Sequence, residues 1–468
     1  MTTLPTTFDD AVRDLRTRCA GAVLSPLDAG YDAARTGFNL RFDQRPAVAV
    51  VAESVDDVVA AVRFATALGL RVAVQATGHG TGGVADEGTL LVVTSRLTDV
   101  AVDPGNRVAR VSAGARWSDV LGPAQEHGLA PLLGSTTHVG AVGYTLGGGF
   151  GWLGRRYGLG SDSVRSFDVV TPDGEEVHAS PTLRPELFWA LKGGGAGTFG
   201  VVVGMEIDLY PVSNVYAGNL FYPAELAPEV VRRWRDWAAD VPDEMTSSIV
   251  MINFPPLETV PEPLRGQSFV LVRGCWSGTD LGQGQELVDR WRAWREPAMD
   301  MFGPLPFAAA DAISMDPTDP MPAMVSTEWL DTLPDGALDV VLEATYPEPG
   351  RQPTLLFAEI RHAGGAVRRK AVDAANDLGR SGEFLLELVG VPPFPDAVYW
   401  LEAHLRLTRD ALAPYVTGAA YLNFTEGEER RRRAASAFSP ENLRRMRNLK
   451  ASLDPDNRFG HGLCFAEN

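Results

Sequence analysis

Lysine is almost missing from this 468-residue chain: Lys192, Lys370 and Lys450 are the only three, and every other basic side chain is an arginine. An ammonium nucleophile is a scarce option here, and the shortage reads as genomic composition rather than chemistry. Cysteine is equally rare. Cys19, Cys275 and Cys464 are odd in number, far apart and not spaced like metal ligands, so neither a disulfide framework nor a zinc site is supported, and a reducing compartment fits. No segment reaches the run of about 18 apolar residues that a spanning helix needs. The start, MTTLPTTFDDAVRDL, has no basic patch followed by an apolar stretch. A soluble, cytoplasmic protein is expected. Positive charge is also in deficit, 42 basic against 60 acidic residues for a net charge of -18, which argues against nucleic acid or anionic membrane as a partner. No GxxxxGK[ST] string exists, so a Walker nucleotide site is unsupported.

With 45% hydrophobic residues, the chain is long enough for a large core and two or more lobes. Its first half reads as short β-branched runs separated by glycine-rich turns. RPAVAVVAES predicts a strand, SVDDVVAAVRFATAL a helix capped by Ser54, and RVAVQA, TLLVVT, RVARVSA, SFDVVTPDG and VVVGMEIDLYP further strands. Strands and helices mix without a regular βαβ rhythm, so the expected class is α+β rather than a doubly wound sheet. Texture changes near residues 211–228. The predicted division is 1–212 with a core of about 42–212, a second lobe over 213–416, and a C-terminal segment over 417–468. In the second lobe SSIVMINF, SFVLVRGCW and TLLFAEIRHA read as strands and GQELVDRWRAW as a helix. SPENLRRMRNLKASLDPDNRF has a Ser439-Pro440-Glu441 helix start and a proline stop. The arginines at 430–433 read as a solvated helix face paired with neighbouring glutamates, with no partner role.

Glycine strings are weak signals taken alone. Gly195-Ala196-Gly197-Thr198-Phe199-Gly200 satisfies GxGxxG but runs into a strand, whereas a dinucleotide fingerprint opens a helix. Two other segments carry more. Residues 74–84, VQATGHGTGGV, place glycines on both sides of His79, so that backbone can approach a flat or phosphorylated ligand while one imidazole is fixed. Residues 134–164 form a second loop with few obstructing side chains. Tight turns at strand ends are the alternative for both.

At these residues the sequence resembles the berberine-bridge-enzyme-like flavoproteins of the vanillyl-alcohol-oxidase superfamily, with its PCMH-type FAD-binding fold. Gln75-Ala76-Thr77-Gly78-His79-Gly80 stands where that family has RSGGHS or RGGGHS. Residues 134–151 follow its GxCxxVGVGGxxLGGGFG, PELFWALKGGGAGTFGVVV its PxLFWAxRGGGGNFGVVT, and YLNF with LDPDNRF its YxNY and YDPxNxF ending. The resemblance implies two lobes, with FAD held by the N-terminal region and the C-terminal tail and covered by a sheet from the middle lobe. It implies a bond from His79 to the flavin 8α carbon. Thr136 stands where many members have a second, cysteine link, so a single covalent link is expected. The implied cofactor contacts are Gln75, Ala76, Thr77, Gly78, Gly80, Thr81, Gly134, Ser135, Thr136, His138, Val139, Gly140, Gly143, Tyr144, Gly149, Gly151, Trp152, Gly200, Val201, Tyr421 and Asn423. Val139 is also implied beside the path of O2.

A flavin oxidase needs a base for the proton that leaves as hydride departs. TLLFAEIRHAGGAV places Phe357, Glu359 and Arg361 on one strand face and Ile360 and His362 on the other, and charge in such a strand is costly unless exposed or functional. Glu359 is the first candidate base and Arg361 its partner or a substrate anchor; an exposed edge pair is the alternative. Tyr421, in the place of the family's YxN tyrosine, is the second, provided that an adjacent positive group or the flavin's own field lowers its pKa; a core tyrosine bonded to backbone is the alternative. Glu383 and Glu387, whose spacing of four suits one helix face, stand where relatives carry AFPHR and are weaker candidates. The expected activity is an FAD-dependent oxidase acting with O2 on a small or medium organic substrate in natural-product tailoring. A sugar or alcohol oxidase, a dehydrogenase with another acceptor, and a non-catalytic flavin-binding protein are the alternatives.

Overall fold

The short β-branched runs near the N-terminus pair into a four-stranded sheet of β1 (Ala22–Leu24), β2 (Val48–Val51), β3 (Arg71–Gln75) and β4 (Thr89–Val93), in the order β1-β2-β4-β3. The computed structural model describes residues 7–347 and 352–463; Cys464 lies outside them. β2 and β3 run parallel to β4, which is buried along its whole length, whereas β1 is antiparallel to β2. The helix Val55–Leu68 links β2 to β3 and starts as Ser54 predicts: the serine hydroxyl accepts from the Asp57 amide while the Asp57 carboxylate accepts from the Ser54 amide. One local βαβ unit therefore sits inside an otherwise α+β molecule.

A second sheet is antiparallel throughout and contains β5 (Val100–Asp103), β6 (Val108–Ser112), β7 (Val164–Val170), β8 (Glu176–Ala179) and β9 (Val201–Asp208), in the order β5-β6-β9-β7-β8. The glycine-rich loop after residue 134 runs between β6 and β7. β9 begins directly after Gly200, so the GxGxxG string does open a strand.

The middle of the chain forms an eight-stranded antiparallel sheet. Its strands are β10 (Asn214–Pro223), β11 (Met245–Asn253), β12 (Ser268–Trp276), β13 (Met299–Asp300), β14 (Gly303–Pro306), β15 (Met324–Leu330), β16 (Phe357–His362) and β17 (Phe384–Gly390). The order is β13-β10-β12-β11-β16-β17-β15, with β14 also on β10. One face packs on the helices Ala227–Ala238, Leu281–Trp294, Asp335–Thr345 and Ala397–Leu412 through residues such as Trp234, Ile249, Ile360 and Leu386. The other face looks toward the glycine loops.

The C-terminal residues cross back to the N-terminal sheets. Ser439 caps the helix Pro440–Leu453 from the predicted start. Lys450 in that helix is buried, and its Nζ donates to the Thr198 and Phe459 carbonyls at 2.8 and 3.1 Å and to Asp454 at 2.6 Å. One of the three lysines is thus an anchor. Among the described residues no helix is long and apolar enough to cross a membrane, and no cluster of His, Cys, Asp or Glu is arranged to hold a metal.

Candidate active site

The glycine loops, the open face of the large sheet and the C-terminal segment enclose one continuous cavity of about 2030 Å³. Pockets for a single small ligand are usually about 300–1,000 Å³, so this one accommodates a large cofactor together with a second molecule. Its wall includes Gln75 through Thr81, Gly134 to Thr136, His138 to Gly140, Gly143, Tyr144, Gly200, Tyr421 and Asn423. Gly149, Gly151, Trp152 and Val201 are not on it. Gly149 and Gly151 turn against the Tyr144 ring and the Leu133 carbonyl, and Trp152 and Val201 are core residues. Their neighbours Gly147, Phe150 and Val202 reach the wall instead.

Gly78 fixes the loop that carries His79. Its φ is 73°, and a Cβ there would come within 2.4 Å of the Gly37 Cα, so only glycine lets the two backbones meet. The His79 ring stacks on Phe38, with centroids 3.8 Å apart, and lies 4.8 Å from the His138 ring. Burial, then His138 and Arg116, depress its pKa to about 3, so the imidazole is neutral. Its Nε2 is buried without a hydrogen-bond partner. The ring borders the cavity, and an imidazole that stays neutral keeps a nitrogen lone pair. Thr136 instead spends its hydroxyl on His138 Nδ1, at 2.5 Å.

On the sheet side, Glu359 lies in β16 between β11 and β17 and is only 1% exposed, so it is not part of an exposed edge pair. Phe357, Glu359 and Arg361 line the cavity, while Ile360 packs in the core behind and His362 bonds Arg155. Glu359 accepts from Ser248 at 2.6 Å and from Arg361 Nε at 2.9 Å, with Arg273 at 3.5 Å. Burial pushes its pKa up, but Arg361, Arg273 and these hydrogen bonds outweigh that and hold it below the usual carboxylate range. Arg361 also donates to Glu387 at 2.9 Å. Glu387 has the opposite balance: burial and the negative charge of Glu359 exceed the pull of Arg361 and raise its pKa to about 8. At neutral pH Glu359 is ionised and Glu387 protonated. Asp316, held by Ser135 at 2.6 Å, faces the cluster from the loop opposite.

The expectation of a helix face for Glu383 and Glu387 is corrected. Strand pairing with β16 sets Glu387 opposite Glu359, while Glu383 precedes the strand, is absent from the cavity wall, and pairs with His362 and Arg368 at 3.5 and 3.3 Å. Tyr421 is on the wall, and its hydroxyl oxygen accepts from the Phe150 amide at 2.7 Å. Arg361 does act to lower its pKa, yet burial is stronger and the net shift is upward. The protein's own groups, taken alone, do not lower this phenol's pKa. Asn423 donates to the Tyr144 carbonyl at 3.0 Å and fits against Gly147, where a Cβ would overlap its side-chain oxygen.

Ser248, Arg273 and Arg430 were not foreseen. The first two sit at the same parity as apolar neighbours in SSIVMINF and SFVLVRGCW, and a polar residue in such a strand is the signal that revealed Glu359. Arg430 overturns the solvated-face expectation for its run. Arg431 and Arg432 are exposed and Arg433 pairs with Glu328 and Glu429, but Arg430 is buried on the cavity wall beside Gly82. Among the described residues no hydrogen bond or ion pair engages its side chain, and burial depresses its pKa to about 10.

The protonated Glu387 makes stability depend on pH. Its folded pKa of about 8 lies above the ordinary 4.5, so the folded state holds an extra proton between these values. Its contribution to stability is full below pH 4.5 and is lost as pH rises toward 8. In thermal unfolding, Glu387→Gln should lack that part of the decline. Parallel pH profiles for the two proteins would remove the assignment.

Residues 46–180 match the family model described as an FAD binding domain. Over 94% of this chain and 95% of its own length, the (R)-6-hydroxynicotine oxidase of Paenarthrobacter nicotinovorans is 26% identical. The xylooligosaccharide oxidase of Thermothelomyces thermophilus is 28% identical over 90% of this chain and 87% of its own. The solved structure of Physcomitrella patens BBE-like 1 covers 96% of this chain and 97% of its own at a TM-score of 0.81 and 18% identity. This chain is an FAD-dependent oxidoreductase. Its fold is that of the berberine-bridge-enzyme-like flavoproteins, and the glycine walls and the unpaired Arg430 guanidinium suit a large anionic cofactor in this flavoenzyme.

Proposed function

We propose that the flavoenzyme is an oxidase that removes hydride from a C–H bond bearing a hydroxyl or amino group on a small or medium organic substrate, in a tailoring step of natural-product biosynthesis. For an alcohol the balance is RCH2OH + O2 → RCHO + H2O2. The observation that carries the reading is the pairing, across one cavity, of a neutral histidine in a glycine loop with an ionised, buried carboxylate on the covering sheet. FAD bound there supplies the two-electron acceptor for the hydride and hands both electrons to O2.

His79 would hold the cofactor by a single bond to the 8α carbon. That bond replaces one methyl hydrogen and the imidazole N–H proton, and the two electrons and two protons leave to O2 as H2O2. Arg430 would face the cofactor's diphosphate, supplying the charge that the glycine loop lacks. Glu359 accepts the proton released from the substrate oxygen or nitrogen, and Arg361 keeps its carboxylate ionised and aimed. Tyr421, protonated and already accepting from the backbone, has its own proton to donate to the same substrate atom. A protein that merely stores flavin has no use for a buried Glu-Arg-Glu cluster, which costs several kcal/mol to desolvate.

Val139 separates an oxidase from a dehydrogenase with another acceptor. It lies on the cavity wall, half-buried against the core under the glycine loop. One more methylene in a small apolar space removes volume that O2 would occupy. The reduced protein is expected to reoxidise rapidly in air, and Val139→Leu to slow reoxidation while leaving anaerobic reduction nearly unchanged. Stopped-flow absorbance checks both, and reduced wild-type flavin persisting in aerated buffer would favour the dehydrogenase.

A further inference from the structure

Strand register sorts the cavity face of the large sheet into three rows. Asn219, Arg273, Ser248 and Arg361 lie opposite one another across β10, β12, β11 and β16. The next row is Phe221, Leu271, Val250, Glu359 and Glu387, polar only at its β16–β17 end. The third is Phe269, Ile252, Phe357 and Val389, wholly apolar. Successive rows are two residues, or about 7 Å, apart along the strands. Polarity therefore falls from paired arginines to bare hydrocarbon within about 14 Å.

The apolar end continues off the sheet through Phe254, Leu264, Pro392, Phe394, Trp400 and Leu401, all on the cavity wall. Phe394 and Trp400 are 47% and 64% exposed and meet edge to face with centroids 5.3 Å apart, forming an aromatic lip. The buried polar side chains at this end are already consumed. Asn253 donates to the Thr345 and Leu355 carbonyls at 2.9 and 3.1 Å, and its oxygen accepts from Ser268 at 2.6 Å. Sugar hydroxyls laid against the apolar row would lose water and meet no polar side chain within it, a cost of roughly 1–3 kcal/mol for each; Gln352, Thr354 and Thr259 offer partners only at the exposed rim.

We infer that the substrate is an elongated, hydrophobic, ring-containing alcohol or amine that lays its reacting end on the Glu359–Arg361 row and its apolar body along Ile252, Phe357 and Phe254 toward the aromatic lip. An oligosaccharide is the poorer match for this apolar row. The inference rests on the proposed oxidase reaction only for which end reacts; the apolar subsite stands on the register and the lining.

The test uses the oxidised holoenzyme without O2 and three probes: benzyl alcohol, 4-biphenylmethanol and xylobiose. Binding is read from perturbation of the flavin spectrum and reaction from its bleaching. The second ring should tighten binding by about tenfold or more, and xylobiose should bind more weakly than either aryl alcohol. Phe357→Ala and Phe254→Ala should each weaken 4-biphenylmethanol about tenfold while leaving benzyl alcohol nearly unchanged; unaltered flavin content in each variant separates this from misfolding. Equal affinities for the two aryl alcohols, no measurable binding of either, or tighter binding of xylobiose overturns the inference. Tight binding of 4-biphenylmethanol with bleaching by none of the three upholds the apolar subsite and counts against the oxidase reading. Bleaching by xylobiose with no gain from the second ring does the reverse.

Discussion

Glu359→Gln is expected to slow anaerobic flavin reduction by roughly 10²- to 10⁴-fold, the range that general-base removal produces. Glutamine preserves the shape and can still accept from Ser248 and Arg361, so loss of the ionised carboxylate is isolated from loss of packing. Flavin content should remain that of the wild type. Tyr421→Phe should cost less than Glu359→Gln, since it removes a proton donor and the acceptor of the Phe150 amide rather than the base. Stopped-flow reduction at saturating substrate reads the ranking. If Glu359→Gln is reduced at the wild-type rate, the base lies elsewhere and Glu387, ionised above pH 8, takes its place.

Denaturing wild-type protein in acid or detergent should leave the yellow cofactor on the polypeptide, and His79→Ala should release all of it. The proteolytic peptide that carries flavin mass should span His79 and never Thr136, whose hydroxyl is not the thiolate that a second link would need. The expected change is all or none, because no other described side chain on the wall combines a neutral nucleophilic nitrogen with the place that the family motif gives to His79. Complete release of flavin from the wild type would reject the covalent link and leave the fold untouched.

Much of the site was legible wherever local pattern and tertiary placement agree. Period-two alternation in FAEIRH put Glu359 and Arg361 on one face, and the sheet buried that face over the cavity. His79 stood out through the family motif, since its flanking glycines alone suit a tight turn equally well, and the structure places it on the cavity wall. Glu387 was harder. Residues four apart share a side in a helix and in a strand alike, and only pairing with β16 shows which partner each glutamate meets. Arg430 was invisible because four successive arginines look equally solvated, whereas the turn of a helix directs one inward and its neighbours outward. The LGGGFG string misled for the opposite reason: its glycines share a motif, but tight turning points Gly149 and Gly151 into protein and leaves Gly147 on the wall. Burial also decided which way the Tyr421 pKa moves, and that quantity is written in no local segment.

Because Tyr421, Asn423, Arg430 and His461 complete a cavity begun by residues 73–83, the flavin site has no closed wall until translation has passed residue 461. A ribosome that has made nine-tenths of the chain holds the glycine loops and the large sheet but lacks the C-terminal part of the wall. Cofactor loading is therefore expected late in the protein's biogenesis and should report on the integrity of the C-terminal segment: a polypeptide shortened by proteolysis or a premature stop before Tyr421 should be colourless, however well its N-terminal sheets have formed.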